Sequence, residues 1–105
     1  MKILVVCGAG ASSTFVAQRL TRAATAHGLF WSAAAGTESA VGAIDHDAVL
    51  IGPHLRDRLD GIRSVTEAPV TALPDDIFDD RDGERTLAIV RTLLADHRTT
   101  SEGRS

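Results

Sequence analysis

Five residues, Lys2-Ile3-Leu4-Val5-Val6, lead without a break into Cys7 and then into Gly8-Ala9-Gly10-Ala11-Ser12-Ser13-Thr14. That junction limits the fold more than any other stretch of the chain. A short continuous apolar run marks a strand covered on both faces, the situation in a parallel sheet between helices. Phe15-Val16-Ala17-Gln18-Arg19-Leu20 and Thr21-Arg22-Ala23-Ala24 follow, apolar at helical spacing, with Gln18, Arg19 and Arg22 facing away. Strand, small-residue loop and helix in succession set a thiol at the strand's carboxyl end, before a bank of free backbone N–H groups. Such a turn is an anion cradle, because the N–H dipoles and the helix N-terminus both favour negative charge. The same field favours thiolate over thiol, so Cys7 is expected to be more nucleophilic than a free cysteine. A lone cysteine is more often a small buried hydrophobe. That role, however, does not call for two glycines and three hydroxyl side chains nearby. Glycine lets backbone approach a ligand closely, and Ser12 or Ser13 is suited to capping the helix. A nucleophile in such a nest points to phosphoryl chemistry.

The rest of the chain narrows the class. Its 105 residues suit one domain with a modest core. A net charge of -3 gives no reason to expect nucleic acid or an anionic membrane surface as a partner. One cysteine excludes an internal disulfide or CxxC pair and fits a reducing cytosol. No apolar run approaches the length of a membrane span, and Met1 leads directly into the first strand. A soluble cytoplasmic protein, without membrane insertion, is expected.

Taken in order, the first helix is predicted from about Ser13 to Ala26, with Gly28 as its C-terminal cap. Leu29 to Ala34 reads as a weaker strand ended by Gly36, and Thr37 to Gly42 as one or two helical turns. Asp47-Ala48-Val49-Leu50-Ile51-Gly52 is a second buried strand. Pro53 then suits a first helical turn, with Leu55, Leu59 and Ile62 as the buried stripe. Val70 to Leu73 is a short strand, and Asp75 to Gly83 an acidic surface connector with Ile77 and Phe78 turned inward. The last helix begins near Asp82 or Gly83 on a stripe of Leu87, Val90 and Leu94, and fades at His97-Arg98. Residues 1–98 make the domain, and 99–105 a polar tail expected to be disordered.

Alternating strands and helices imply an α/β fold: a small four-stranded parallel sheet with helices on both faces, flavodoxin-like, with right-handed crossovers. The strand order is predicted as 2-1-3-4. In that order the chain reverses between the first and third strands, and ligands bind at the carboxyl ends of the strands at that point. Cys7 with its loop and Gly52-Pro53-His54 lie there.

These residues resemble the IIB components of the bacterial phosphoenolpyruvate-dependent sugar phosphotransferase system, nearest the lactose/cellobiose/diacetylchitobiose class. The likeness rests on Cys7-Gly8-Ala9-Gly10-Ala11-Ser12-Ser13-Thr14. It extends through Val49-Leu50-Ile51-Gly52-Pro53 and Phe78 to Gly83, so it covers nearly the whole chain. The resemblance implies that Cys7 takes a phosphoryl group from a phosphohistidine of a IIA protein. It then passes the group to a sugar, a β-linked disaccharide by class, held by the membrane IIC permease. It further implies that Gly8, Ala9, Gly10, Ala11, Ser12, Ser13 and Thr14 form the phosphate-binding loop. No cofactor or metal is expected, and the chain is expected to act as a monomer. It departs from the family pattern in His54, in its highly charged connector and in its polar tail.

Other readings are weaker. A low-molecular-weight tyrosine phosphatase shares the strand–loop–helix geometry, but its loop reads Cys, five residues, then Arg, and the arginine's fork holds the transition state. Here Ser13 stands near that place and the first arginine is Arg19. Asp75 or Asp76 would be the general acid. A regulatory phosphocysteine module would use Cys7 in the same way. A nucleotide or flavin binder lacks both GxGxxG and a Walker lysine. His54 is a candidate accessory residue, donating a hydrogen bond to the phosphoryl group. His27, His46 and His97 read as solvent-facing element ends, Trp31 as edge-strand packing, and Arg56, Arg58 and Arg63 as a solvated helix face. One docking surface that serves IIA and IIC in alternation is expected on the apolar and small-residue rim around Cys7, including Ala9, Ala11 and Pro53-His54-Leu55.

Overall fold

The computed structural model describes residues 1–6, 11–43 and 45–103, and among these the side chains of all but 11–13, 78 and 97–103. Strands β1 (Lys2–Val6), β2 (Ser32–Gly36), β3 (Ala48–Ile51) and β4 (Val70–Ala72) alternate with helices α1 (Ala11–Ala26), α2 (Glu38–Ala43), α3 (Leu59–Arg63) and α4 (Glu84–Gly103). The sheet is parallel and ordered β2-β1-β3-β4, as the alternation predicts.

The central pair shows why. Ile3, Leu4, Val5 and Val6 of β1 and all four residues of β3 are buried. Neither strand has the polar alternation of a half-solvated sheet, because helices cover both faces. Ile3, Val5 and Leu50 face α1 and α4, where Val16, Leu20, Leu87 and Val90 complete one core. Leu4, Val6, Val49 and Ile51 face the other way, onto Val41, Ile62 and Val70.

Several boundaries move. The first helix starts at Ala11, two residues before its predicted start, so Ser12 and Ser13 lie in its first turn and do not precede it as caps. Gly28 does end it. At φ +74° it lets Leu29 N–H donate to Ala24 O (2.8 Å) while its own N–H donates to Thr25 O (3.0 Å), the paired closure of a glycine-capped helix. The second strand begins three residues later than predicted, at Ser32, and ends at Gly36. Its bulky aromatics fall in the approach: Phe30 is exposed and Trp31 packs against the α1-side core. Ladder pairing to β1 fixes the small segment Ser32–Gly36 instead.

The helix opened by Pro53 begins as a 3₁₀ turn, Pro53–Arg58, and becomes α-helical only over α3. Its predicted stripe is only partly covered: Ile62 is buried, while Leu55 and Leu59 are half-buried. The acidic connector contains a second 3₁₀ turn, Ile77–Asp79, with Ile77 buried as expected; the side chain of Phe78 lies outside the described residues. The final helix continues to Gly103, past the predicted fade at His97-Arg98, and Thr99 to Glu102 contain no Pro or Gly to stop it. His46 also differs from expectation, being half-buried with Nδ1 enclosed and without a hydrogen-bond partner among the described residues.

Candidate active site

Cys7, Gly8, Ala9 and Gly10 lie outside the described residues, so the site is built from what holds the chain on either side. Upstream, Val6 is the last residue of β1 and sits between Gly36 of β2 and Ile51 of β3. Its carbonyl accepts the Gly52 N–H at 2.7 Å. The end of β1 is therefore fixed from both neighbours, and Cys7 is the next residue. Gly36 belongs to this closeness, since a methyl there would come within 2.7 Å of Leu4 Cδ1.

Downstream, α1 opens at Ala11. The first four N–H groups of an α-helix lack intrahelical acceptors; here they belong to Ala11, Ser12, Ser13 and Thr14. Four of the seven residues expected to bind phosphate thus supply the N-terminal turn of a 16-residue helix. That turn attracts anions through its free donors and dipole. Thr14 is exposed, and so is Phe15, at 57%.

Opposite this turn, across the switch point, Gly52 is buried and extended (φ -64°, ψ 158°), and leads into the Pro53–Arg58 turn. Leu55 N–H donates to Gly52 O at 3.0 Å. This arrangement sets His54 at the surface of the turn. His54 and the first turn of α1 thus flank the end of β1, as the sequence predicts.

Ion pairs tie the surrounding loops together. Arg56 reaches Asp75 at 3.2 Å, joining the segments after β3 and β4. Arg58 holds Glu38 through two bonds of 3.0 and 3.1 Å, joining the same turn to α2. Arg85 meets Asp76 at 3.0 Å; its hydrogen bond holds the Asp76 carboxyl below the ordinary range, and Asp76 in turn raises Arg85. The arginines expected to be a solvated face are therefore partly engaged: Arg63 also donates to Val70 O at 3.1 Å. Asp75 and Asp76, candidates for a phosphatase acid, are both occupied by arginines.

Asp80 is the residue the sequence hides most. It looks like one more acid in an acidic connector, yet it is 6% exposed. Its Oδ2 accepts the Thr86 N–H and hydroxyl, both at 2.9 Å, and Oδ1 accepts the Arg85 N–H at 3.2 Å. Burial pushes the carboxyl up, but the Thr86 and Arg85 hydrogen bonds outweigh it and leave the acid below its ordinary value. Asp80 anchors the start of α4, which Gly83 presses onto α1: at φ +76° a methyl would run into the Arg19 carbonyl.

A family model described as "PTS system, Lactose/Cellobiose specific IIB subunit" matches residues 2–88. The chain belongs to the lactose/cellobiose-specific IIB family. The role of this IIB protein is that of a phosphoryl carrier in a sugar phosphotransferase system, and its family implies interaction with IIA and IIC components. Among solved structures it is similar to the lactose-specific IIB component domain of the phosphotransferase system from Streptococcus pneumoniae. The TM-score is 0.74 at 17% identity, covering 88% of this chain and 95% of that one. That likeness bears on the fold. No curated protein matches significantly. No helix among the described residues of the IIB chain is long and apolar enough to cross a membrane.

Proposed function

We propose that Cys7 is the phosphoryl-carrying residue, and that residues 8–14 hold the phosphoryl oxygens while the group is in transit. The supporting observation is the placement of residue 7. It follows a strand pinned on both sides at the switch point, and four residues later a 16-residue helix begins. In the first step the Cys7 thiolate attacks the phosphorus of a IIA phosphohistidine. The S–P bond forms, the P–N bond breaks, and the imidazole leaves. In the second, a hydroxyl oxygen of a sugar held by IIC attacks the same phosphorus. The S–P bond breaks, the thiolate is restored, and the hydroxyl proton passes to a base on the acceptor side.

The free N–H groups of α1 stabilise the phosphothiol as a ground state. Catalysis needs interactions that strengthen toward the transition state, and in this account the partners supply them. A β-linked disaccharide is the sugar the family suggests. The working unit is residues 1–98, acting as a monomer in the cytoplasm. His54, exposed beside the switch point, contributes a hydrogen bond to the phosphoryl group in this reading.

Mixing the protein with phosphorylated IIA of a lactose/cellobiose-type system tests the assignment. Mass analysis should find one phosphoryl group, on Cys7, and Cys7→Ser should abolish thiol-linked label. A label on His54 or on a loop serine in the wild type would contradict it.

A further inference from the structure

We propose that Thr21 and Arg63 guard the two edges of the sheet. Each holds a backbone group that a second copy of this chain would need in order to pair with it strand to strand. The proposal rests on the monomeric working unit read above, and not on the chemistry at Cys7.

The ladder fixes which groups point outward. In the order β2-β1-β3-β4, β2 and β4 are the edges. Ser32 N–H donates to Met1 O at 2.8 Å. Ser32, Ala34 and Gly36 therefore turn their backbone groups to β1, and Ala33 and Ala35 turn theirs away. On the other edge Leu73 N–H donates to Ile51 O at 2.8 Å, and Val49 N–H donates to Pro69 O at 2.9 Å. Thr71 and Leu73 thus address β3, and Val70 and Ala72 face outward. A row of outward N–H and C=O groups is a template for another strand.

On each edge a side chain from a helix holds one of those groups. Thr21 Oγ1, on α1, accepts the Ala33 N–H at 3.2 Å. Arg63, the last residue of α3, donates from its guanidinium to Val70 O at 3.1 Å. Each side-chain atom stands where an added strand would bring its own group, a carbonyl oxygen at Ala33 and an amide at Val70.

The edges differ in their other protection. β4 has three residues and lies between Pro69 and Pro74, with the charge of Arg63 beside it. Short length, proline and charge each discourage pairing. β2 has five residues, Ser-Ala-Ala-Ala-Gly, with no proline and no charge, and its small side chains let a second backbone come close. Two copies of β2 match each other when antiparallel about an axis at Ala34: Ala33 of each exchanges both bonds with Ala35 of the other. Thr21 withdraws the Ala33 donor in both copies, and with it half of those bonds. A second copy there would also stand beside the site, because Gly36 is the register partner of Val6. Keeping β2 unpaired keeps the approach to Cys7 open.

The test is sedimentation velocity of the full chain over a wide range of concentration, for wild type, Thr21→Ala, Thr21→Ser, Thr25→Ala and Arg63→Ala, with amide hydrogen exchange on each. Thr21→Ala removes both the acceptor and the bulk beside Ala33. It should raise the self-association constant about tenfold or more, the scale of a hydrogen bond released in each copy. The dimer should dissociate on dilution and protect the Ala33 and Ala35 amides. Thr21→Ser keeps the hydroxyl and should match wild type. Thr25→Ala should match it too, since that hydroxyl bonds within α1, to Thr21 O at 2.9 Å. Arg63→Ala should associate less than Thr21→Ala, because Pro69 and Pro74 still flank β4. A Thr21→Ala protein that sediments as wild type does would overturn the proposal. So would association in which the Ala35 amide exchanges as fast as in the monomer. A wild type that sediments as a dimer would overturn the monomeric reading and the guards with it, while labelling of Cys7 by phosphorylated IIA would still test the carrier reading separately.

Discussion

The two faces of the sheet are built differently. One carries α1 and α4, helices of 16 and 20 residues, pressed together at Gly83 and closed by the buried Asp80–Thr86 bonds. The other carries α2, the Pro53–Arg58 turn and α3, of six, six and five residues. There Arg58–Glu38 is an exposed tie. Long helices bury a continuous stripe and can hold a catalytic turn still, whereas segments of one or two turns depend on the sheet beneath them. The candidate site draws on both. The firm face supplies the N-terminal turn after Cys7, and the short-element face supplies the adjustable rim at His54.

The glycines offer the sharpest way to break that comparison. Gly83 and Gly28 have nearly the same left-handed φ, +76° and +74°, but only Gly83 faces backbone; nothing lies within 4 Å of a methyl built on Gly28. Gly83→Ala should therefore cost about 3 kcal/mol or more, from backbone strain together with displacement of α4 from α1. Gly28→Ala should cost about 1 kcal/mol, from strain alone. Equal melting-temperature losses would show that α1 and α4 are not pressed together at Gly83. Leu20→Ala, emptying a fully buried position on the same face, should cost about 3 kcal/mol in urea unfolding. On the other face Ile62→Val should cost about 1 kcal/mol.

Asp80 comes next. Asp80→Ala removes the acceptor for three donors and should cost about 2 kcal/mol. Because its folded-state acid is lowered, its contribution is fully present above the unfolded value of about 3.9. It is lost as pH falls through the folded value. Asp80→Asn should accordingly flatten the acid limb of the stability profile below about pH 4. An unchanged limb would show that other carboxylates set it. The smallest effect belongs to the short-element face: Glu38→Gln, breaking an exposed ion pair with Arg58, should cost less than about 1 kcal/mol and less again in high salt.

This difference between faces also explains what could be read in advance. Strand order, the switch point and Gly28 follow from patterns inside short segments, and the structure repeats them. Asp80 does not, because its burial depends on Thr86 and on α1 lying across the chain, which no local pattern encodes. Phe15 belongs to the apolar run that opens α1, but it stands five residues before Leu20 and so off the buried stripe. Its neighbours Gln18 and Arg22, three and seven residues on, are the signal that it belongs to the outward face. The 3₁₀ start at Pro53 was hidden for a related reason: Leu55, Leu59 and Ile62 have helical spacing, but only Ile62 is fully buried, while Leu55 and Leu59 pack against the core from its edge. The expected cysteine chemistry rests on residues 7–10, and on α1 beginning immediately after them.

The central claim is that the phosphoryl group waits on Cys7 for a partner. The decisive measurement is the lifetime of the phosphothiol after labelling through IIA and removal of the donor, followed by mass with and without permease-bearing vesicles and sugar. A carrier whose loop stabilises the ground state should keep the label in buffer and lose it at least a hundredfold faster when the acceptor is added, in line with the gain of one transition-state donor or more. Equally rapid loss without an acceptor, with inorganic phosphate released, would contradict the account and return Cys7 to a hydrolytic role.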